Sequence, residues 1–263
     1  IPVLDTGLKH GTVTALVGDQ RLEITTFRTE GGYSDHRRPD SVTFANTIEQ
    51  DLSRRDFTVN AMAWNPGKGL VDPFHGREDL QKRLIRCVGE PSRRFDEDAL
   101  RILRGVRFAS VLGFAIEENT SRAIHAQAPL LAKVSIERIS GELVKLLCGA
   151  GAAEVLTAFR DLVAFLLPEL PEVSLDTRLQ ALASVPREPA LRLAVLLADL
   201  PPHEAGKLLR RLRTTIDDAM DAAGLRREME ALVAQGAENI DLVTPSHFLP
   251  DVLAALDQPL PVP

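Results

Sequence analysis

One carboxylate followed by three guanidinium groups at three-residue spacing is the arrangement in this chain best suited to binding chemistry. The four residues are Asp98, Arg101, Arg104 and Arg107. The spacing predicts a helix over residues 95–108 with these side chains on one face and apolar side chains on the other. The planar fork of Arg suits phosphates and base edges, and an Asp one turn earlier adds an acceptor. The pattern predicts that Asp98 and Arg101 bind the edge of a nucleobase and that the later arginines bind phosphates. The alternative is a solvated helix face with Asp–Arg ion pairs.

A second polar group occurs in a short stretch between apolar positions. It comprises Arg54, Arg55, Asp56 and Asn60. Asn60 follows Asp56 by about one helical turn, so the two side chains can lie next to each other. Acceptors and donors placed in this way suit ribose hydroxyls and phosphate, whereas a structural ion pair is the competing interpretation.

These groups need a framework, and the preceding residues predict strands. Residues 12–17 and 21–27 are β-rich, and the turn residues between them predict a hairpin. Glu23 would share a strand face with Arg21 and Thr25, which ordinarily means exposure to solvent. Residues 30–41 have two adjacent Gly, one Pro and little apolar content, and this predicts a mobile surface loop. Its small basic cluster could move over a bound phosphate.

The remaining elements are helices. A short one is predicted over residues 47–52, and residues 70–71 end a strand before a Pro- and Gly-containing turn. Beyond residue 110, apolar spacing interrupted by prolines predicts packed helices. They fall at residues 136–147, 152–167, 176–185 and 191–200.

Composition sets limits on the class of protein. With 263 residues, 44% hydrophobic and 26% charged, the chain can form two or more modules with their own cores. No apolar run approaches the roughly 20 residues of a membrane span. The two Cys residues are far apart and the six His residues lack ligand spacing, which argues against a disulfide framework and a zinc site.

The net charge of −6 is unevenly distributed. Residues 54–107 contain 12 Lys and Arg against 8 Asp and Glu, whereas residues 111–263 contain 14 against 21. Positive charge is therefore concentrated around the arginine-rich stretch, where binding of a polyanion would need it.

Three ordered motifs resemble those of class II tRNA nucleotidyltransferases, which share a superfamily with bacterial poly(A) polymerases. They occupy residues 54–63, 72–80 and 94–104. Residues 7–13 and 23–28 are also similar to the head domain of that family, and the similarity runs from residue 5 to about residue 147.

The resemblance implies an α/β head with a partial mixed sheet, followed by an all-α neck and body. On this basis we expect a head at residues 1–76, a helical neck with the nucleotide-selecting helix at 77–148, and a helical body and tail at 149–263. The implied activity is addition of CCA, or its terminal A, to tRNA 3′ ends from CTP and ATP, with Mg²⁺ as cofactor. We expect a cytoplasmic enzyme without a membrane partner. A poly(A) polymerase and a non-catalytic nucleotide- or RNA-binding fragment are the alternatives.

The resemblance also implies roles for individual residues. Asp98 and Arg101 would pair with the incoming base, and Glu23 would be the third carboxylate beside the catalytic pair. The nucleotide, including its phosphates and ribose, would be contacted by Arg55, Asp56, Asn60, Arg104 and Arg107. Asp35, Arg37 and Arg38 lie in the segment that matches the flexible loop of the family. The basic cluster at residues 207–213 would be a solvated helix face or a contact with the tRNA backbone.

One departure from the family is the first motif, a Gly-Gly turn followed by Asp-x-Asp, of which this sequence has no copy. In the family those two Asp hold the metal ions, so no metal ligands are expected in this chain. We expect either that further residues precede Ile1 in the intact protein or that the chain is a fragment without catalysis of its own.

Overall fold

The computed structural model describes residues 2–7, 12–18, 20–31 and 41–212. The chain divides into two compact units. Unit 1 comprises residues 1–101 and 117–123, and unit 2 comprises residues 102–116 and 124–263.

Strands are concentrated in the described residues up to position 71. They are β1 (Val3–Gly7), β2 (Thr12–Val17), β3 (Gln20–Thr25), β4 (Arg28–Gly31), β5 (Ser41–Phe44), β6 (Ala63–Asn65) and β7 (Gly69–Val71), with two short later strands, β8 (Leu84–Ile85) and β9 (Ala115–Ile116). β1, β2 and β3 form an antiparallel sheet in that order, and β4–β5 and β6–β7 are antiparallel pairs. The predicted hairpin of β2 and β3 is confirmed, with Thr14 opposite Glu23 and Gly18 at a φ of 59° in the turn.

The helices follow the sheets. They are α1 (Ile48–Ser53), α2 (Gly76–Lys82), α3 (Pro91–Glu97), α4 (Leu100–Leu112), α5 (Glu118–Gln127), α6 (Ile136–Leu147), α7 (Ala152–Ala158), α8 (Arg160–Leu166), α9 (Glu172–Ala181), α10 (Pro189–Leu197) and α11 (Pro202–Arg211). Short 3-10 turns cover Thr58–Asn60, Ala128–Lys133 and Leu182–Ser184. The expected order, a partial α/β head followed by an all-α region, is confirmed. The expected domain boundaries after residues 76 and 148 stay a prediction.

The predicted single helix over residues 95–108 is wrong in one respect. The chain leaves the helical conformation at Asp98, whose φ of −142° and ψ of 103° separate α3 from α4. The Asp98 carboxylate instead accepts a hydrogen bond from the Leu100 backbone N–H at 3.2 Å. Asp competes for backbone donors in this way, which makes it a better cap than an interior helical residue.

The core of unit 1 is formed by buried aromatic and aliphatic side chains. Phe57 and Phe95 are fully buried. A cluster formed by Leu52, Ala61 and Val88 packs with partly buried apolar side chains from α1, β6, β7 and the loop before α2. The predicted apolar side of α4 is confirmed as buried. Its members are Leu100 in unit 1 and Ile102, Leu103 and Val106 in unit 2.

Unit 2 is built from helices with leucine-rich buried faces. The predicted helical segments are confirmed, although residues 152–167 form two helices, α7 and α8, rather than one. The segment after α6 lies close to α4, because a Cβ at Gly149 would lie 2.1 Å from Ser110 Oγ. Ser110 also donates to the Leu146 carbonyl at 2.7 Å. In the ranges that the structure describes, no helix is long and apolar enough to cross a membrane.

Candidate functional site

The Arg101 guanidinium is held by three acceptors of unit 1. Nη1 donates to Glu97 Oε2 at 2.8 Å and to the Arg94 carbonyl at 3.2 Å, and Nη2 donates to the Arg54 carbonyl at 3.0 Å. The residue is 9% exposed. Both Nη1 protons and one Nη2 proton are therefore engaged, which leaves the other Nη2 proton and the Nε proton as donors for a ligand. The fork is oriented before any ligand arrives.

Glu97 orients that fork, and the sequence prediction did not include it. Its carboxylate accepts hydrogen bonds from Arg94 Nη1 at 2.8 Å and from Arg101. It also forms an ion pair with the more exposed Arg93 at 3.4 Å. The side chain is only 13% exposed, so these contacts are little screened by solvent. The signal was present in the sequence, because Glu97 precedes Arg101 by four residues, the spacing at which side chains meet on a helix.

Asp98 lies between α3 and α4, next to this cluster in the chain. Its backbone carbonyl accepts the Arg101 N–H at 3.0 Å, and its Oδ1 caps α4 through Leu100. The side chain is half-buried. Asp98 therefore lies at the N-terminus of α4, one turn before Arg101, and the base-pairing role of the two residues stays a prediction.

The predicted proximity of Asp56 and Asn60 is confirmed. Asn60 Nδ2 donates to Asp56 Oδ1 at 3.2 Å, and the same oxygen accepts the Phe57 N–H at 2.9 Å. Asp56 is buried whereas Asn60 is exposed. The short 3-10 turn at Thr58–Asn60 produces this geometry, and it leaves the amide of Asn60 accessible from solvent.

Arg54 and Arg55 share a buried carboxylate, Asp51, that the sequence prediction also missed. Arg54 contacts Asp51 Oδ1 through Nε at 3.0 Å and Nη2 at 2.6 Å, and Arg55 Nη2 contacts Asp51 Oδ2 at 3.2 Å. The Arg54 side chain is 15% exposed and that of Arg55 is 45% exposed. Arg55 is thus the arginine of this pair that is open to a ligand. Asp51 precedes both arginines at helical spacing, which is the signal that could have identified it.

Arg104 and Arg107 belong to unit 2, where both stack on Phe108. The guanidinium carbons lie 5.4 Å and 3.9 Å from the ring centroid. Arg107 Nε also donates to Glu142 Oε2 at 2.5 Å, with both side chains largely buried. A nucleotide phosphate would compete with Glu142 for Arg107, and the anchoring roles of both arginines stay predictions.

Glu23 lies in β3, on the strand face shared with Arg21 and Thr25 as predicted. Within the described ranges, no three His, Cys, Asp or Glu side chains form a group that could hold a metal ion. The residues that the structure describes therefore do not by themselves fit a two-metal site around Glu23. Asp35, Arg37 and Arg38 lie outside the described residues, as does residue 213 of the predicted basic cluster.

Taken together, unit 1 provides a guanidinium held by three acceptors, a carboxylate one turn before it, and an Asp–Asn pair next in sequence to two arginines. Donors and acceptors of these kinds recognise a base edge, a ribose and phosphates. The fold has a strand-containing head followed by helices, and unit 1 contains side chains of the types that bind nucleotides.

Comparisons with known proteins agree with this arrangement. The family described as poly A polymerase head domain matches residues 1–86, and the one described as probable RNA and SrmB-binding site of polymerase A matches residues 113–173. The CCA-adding enzyme of Geobacillus thermodenitrificans is 51% identical over 180 residues, which are 68% of this chain and 42% of that protein. That of Lactobacillus helveticus is 44% identical over 213 residues, which are 79% of this chain and 53% of that protein.

Solved structures give the same result. The Bacillus stearothermophilus CCA-adding enzyme in complex with CTP has a TM-score of 0.69 and 35% identity, with 94% of this chain and 60% of that chain covered. A tRNA nucleotidyltransferase complexed with a primer tRNA and an incoming ATP analogue has a TM-score of 0.67 at 23% identity, which supports the fold alone. The chain belongs to the family of class II CCA-adding enzymes and poly(A) polymerases. It spans about half the length of the curated relatives it matches.

Proposed function

We propose that this protein is a tRNA nucleotidyltransferase that adds CCA, or its terminal A, to tRNA 3′ ends from CTP and ATP. The observation that carries the proposal is the buried Arg101 fork, held by Glu97 with two donors left for a ligand, directly after an acceptor at Asp98. The matched relatives named as CCA-adding enzymes support it.

The chemistry of the bases supports the roles of these two residues. Cytosine and adenine both present an amino donor next to a ring-nitrogen acceptor on the pairing edge, whereas uracil and guanine present a carbonyl next to a ring N–H. A carboxylate accepts from the amino group and a guanidinium donates to the ring nitrogen. The pair Asp98 and Arg101 therefore complements cytosine and adenine and opposes the other two bases.

The remaining contacts belong to the same proposal. Arg55, with nearly half of its side chain exposed, would contact the phosphates, and Asp56 with Asn60 would contact the ribose. Arg104 and Arg107 would contribute further phosphate contacts, and Glu23 would be the third carboxylate of the catalytic group. These assignments are supported by the resemblance and by the side-chain types.

We also propose Mg²⁺ as the cofactor and tRNA as the partner. In nucleotidyl transfer, metal ions supply charge neutralisation of the triphosphate and activation of the attacking hydroxyl. Support for Mg²⁺ is the resemblance, since the described residues do not provide the ligand set. A cytoplasmic location is part of the proposal because nucleoside triphosphates and tRNA are cytoplasmic molecules.

Two measurements test the proposal. Isothermal titration of the chain with CTP, ATP, UTP and GTP should show binding of CTP and ATP and at least tenfold weaker binding of the others. The complete gene product should then extend a tRNA that ends before CCA, using labelled CTP and ATP. Equal affinity for all four nucleotides, or no extension of that tRNA by the complete gene product, would refute the proposal.

The poly(A) polymerase alternative is favoured by the family description of the head domain. It makes a different prediction for the extension assay. A poly(A) polymerase would add many A residues to an RNA and would not incorporate CTP, whereas a CCA-adding enzyme stops after the terminal A.

A further inference from the structure

Asp51 in α1 is a buried carboxylate that is hydrogen-bonded to two of the arginines next to the candidate nucleotide site. It is 3% exposed. Oδ1 accepts from the Arg28 backbone N–H at 3.2 Å and from Arg54, and Oδ2 accepts from Arg55. A carboxylate can satisfy about four donors, so its acceptor capacity is used by these contacts.

The charge of Asp51 is maintained in spite of its burial. Burial raises the pKa of this carboxyl group, but the Arg54 hydrogen bond and charge, the Arg28 backbone hydrogen bond and the Arg55 charge lower its pKa overall. Asp51 is therefore an anion at neutral pH and separates two guanidinium groups that would otherwise repel each other.

Two lines of contact connect Asp51 to the nucleotide site. The direct one is the Arg55 guanidinium, the exposed cation of the pair. The indirect one passes through Arg54, whose side chain is bound to Asp51 and to the Arg28 carbonyl while its own backbone carbonyl accepts Arg101 Nη2 at 3.0 Å. The Asp51 carboxylate thus holds the Arg55 guanidinium, which would contact phosphate. Through Arg54 it also holds one of the three acceptors of the Arg101 guanidinium.

We propose that Asp51 is a positioning residue for nucleotide selection, which sets the direction of Arg55 and, through the Arg54 backbone, that of Arg101. The proposal rests on the proposed function, because it assigns Asp51 to the same nucleotide site. It assigns no contact between Asp51 and the substrate.

A structural role alone makes a different prediction. If Asp51 only stabilised unit 1, its loss would lower the unfolding temperature without changing the relative affinities for CTP and UTP in the folded protein. If Asp51 orients the Arg55 and Arg101 side chains, a folded Asp51 variant should lose affinity for the triphosphate because Arg55 is displaced. It should also lose base preference because Arg101 is displaced.

The test uses isothermal titration of the chain with CTP, UTP and cytidine, comparing the wild type with Asp51→Asn. The amide keeps the shape but loses the charge and directs an N–H₂ group at the guanidiniums. We expect CTP affinity to fall about tenfold, which corresponds to one charge-assisted hydrogen bond. The CTP-over-UTP preference should fall at least threefold, and cytidine affinity should change less than CTP affinity.

Glu117→Gln is the matched control. Glu117 is also a largely buried carboxylate of unit 1, bonded to the Thr120 N–H and hydroxyl and paired with Arg86 at 3.5 Å, away from Arg54, Arg55 and Arg101 in the contact network. This variant should lower the unfolding temperature and leave the nucleotide preference unchanged. An equal loss of preference in both variants would overturn the positioning role.

Asp51→Glu is the second variant in case the amide prevents folding. It keeps the charge but displaces it by one methylene group, so we expect a loss of CTP affinity of about threefold with a smaller loss of preference. Folded variants with wild-type CTP affinity and CTP-over-UTP preference would overturn the proposal for Asp51. Failure of the wild-type chain to bind CTP or ATP would instead refute the proposed function on which it rests.

Discussion

Replacing Arg101 with Lys gives the strongest test of the candidate site. The guanidinium bridges three acceptors in different directions, the Glu97 carboxylate and the carbonyls of Arg94 and Arg54. A Lys ammonium is a compact charge whose three donors diverge from one nitrogen. We therefore expect it to keep the hydrogen bond to Glu97 and to lose the one to the Arg54 carbonyl. That acceptor would then lack its charged partner.

The magnitude follows from these contacts. Losing a hydrogen bond from a charged donor to a partly buried acceptor costs about 2 kcal/mol of unfolding free energy. The Arg101 side chain is 10% exposed, so solvent compensates for little of this loss. Loss of the fork should also cost about 1–3 kcal/mol of discrimination between bases, or roughly fivefold to 150-fold in relative affinity.

Arg93→Lys is the control, because Arg93 contacts the same Glu97 carboxylate at 3.4 Å but is 76% exposed. An exposed ion pair contributes little, so this variant should lie within about 0.5 kcal/mol of the wild type. Urea unfolding and titration with CTP and UTP measure both effects. If Arg101→Lys matched Arg93→Lys in stability and kept the preference for CTP over UTP, the three acceptors would not be what orients the Arg101 guanidinium.

Three further predictions concern other parts of the chain. Asp98→Ala should bring the affinities for CTP and UTP within threefold of each other in titrations, whereas an unchanged ratio would defeat its role as the acceptor. Gly76→Ala should lower the free energy of unfolding in urea by more than about 2 kcal/mol, because a Cβ there would lie 2.1 Å from a backbone carbonyl oxygen. Gly141→Ala has open space around it inside α6 and should raise the free energy of unfolding by about 0.5–1 kcal/mol. Equal effects of the two substitutions would contradict this geometry. The Arg178 hydrogen bond lowers the pKa of Asp199 to about 2, so its stabilising effect is present above the usual pKa near 3.8 and is lost as the pH falls toward 2. The wild type should therefore lose its advantage over Asp199→Asn between pH 4.5 and 2.5 in unfolding experiments, and a constant difference across that range would argue against this ion pair.

The sequence alone determined the nature of most elements and identified the candidate side chains for nucleotide binding. The β2–β3 hairpin followed from alternation and turn residues, and the apolar side of α4 followed from helical spacing, because both depend on local periodicity. The contact between Asp56 and Asn60 also followed, since residues four apart meet within one turn. Family membership followed from three motifs in order, which is information carried by residue identity.

Tertiary structure decided which of those side chains are held in place, and by what. The break at Asp98 depends on a competition between helix continuation and a side-chain cap, which periodicity does not resolve. The bond from Arg101 to the Arg54 carbonyl joins residues 47 positions apart, so no local pattern could predict it. Glu97 and Asp51 had a local signal, an acid three or four residues before an arginine, but many exposed ion pairs share that spacing. Only burial, which depends on the packed core around them, distinguishes these two carboxylates from the rest.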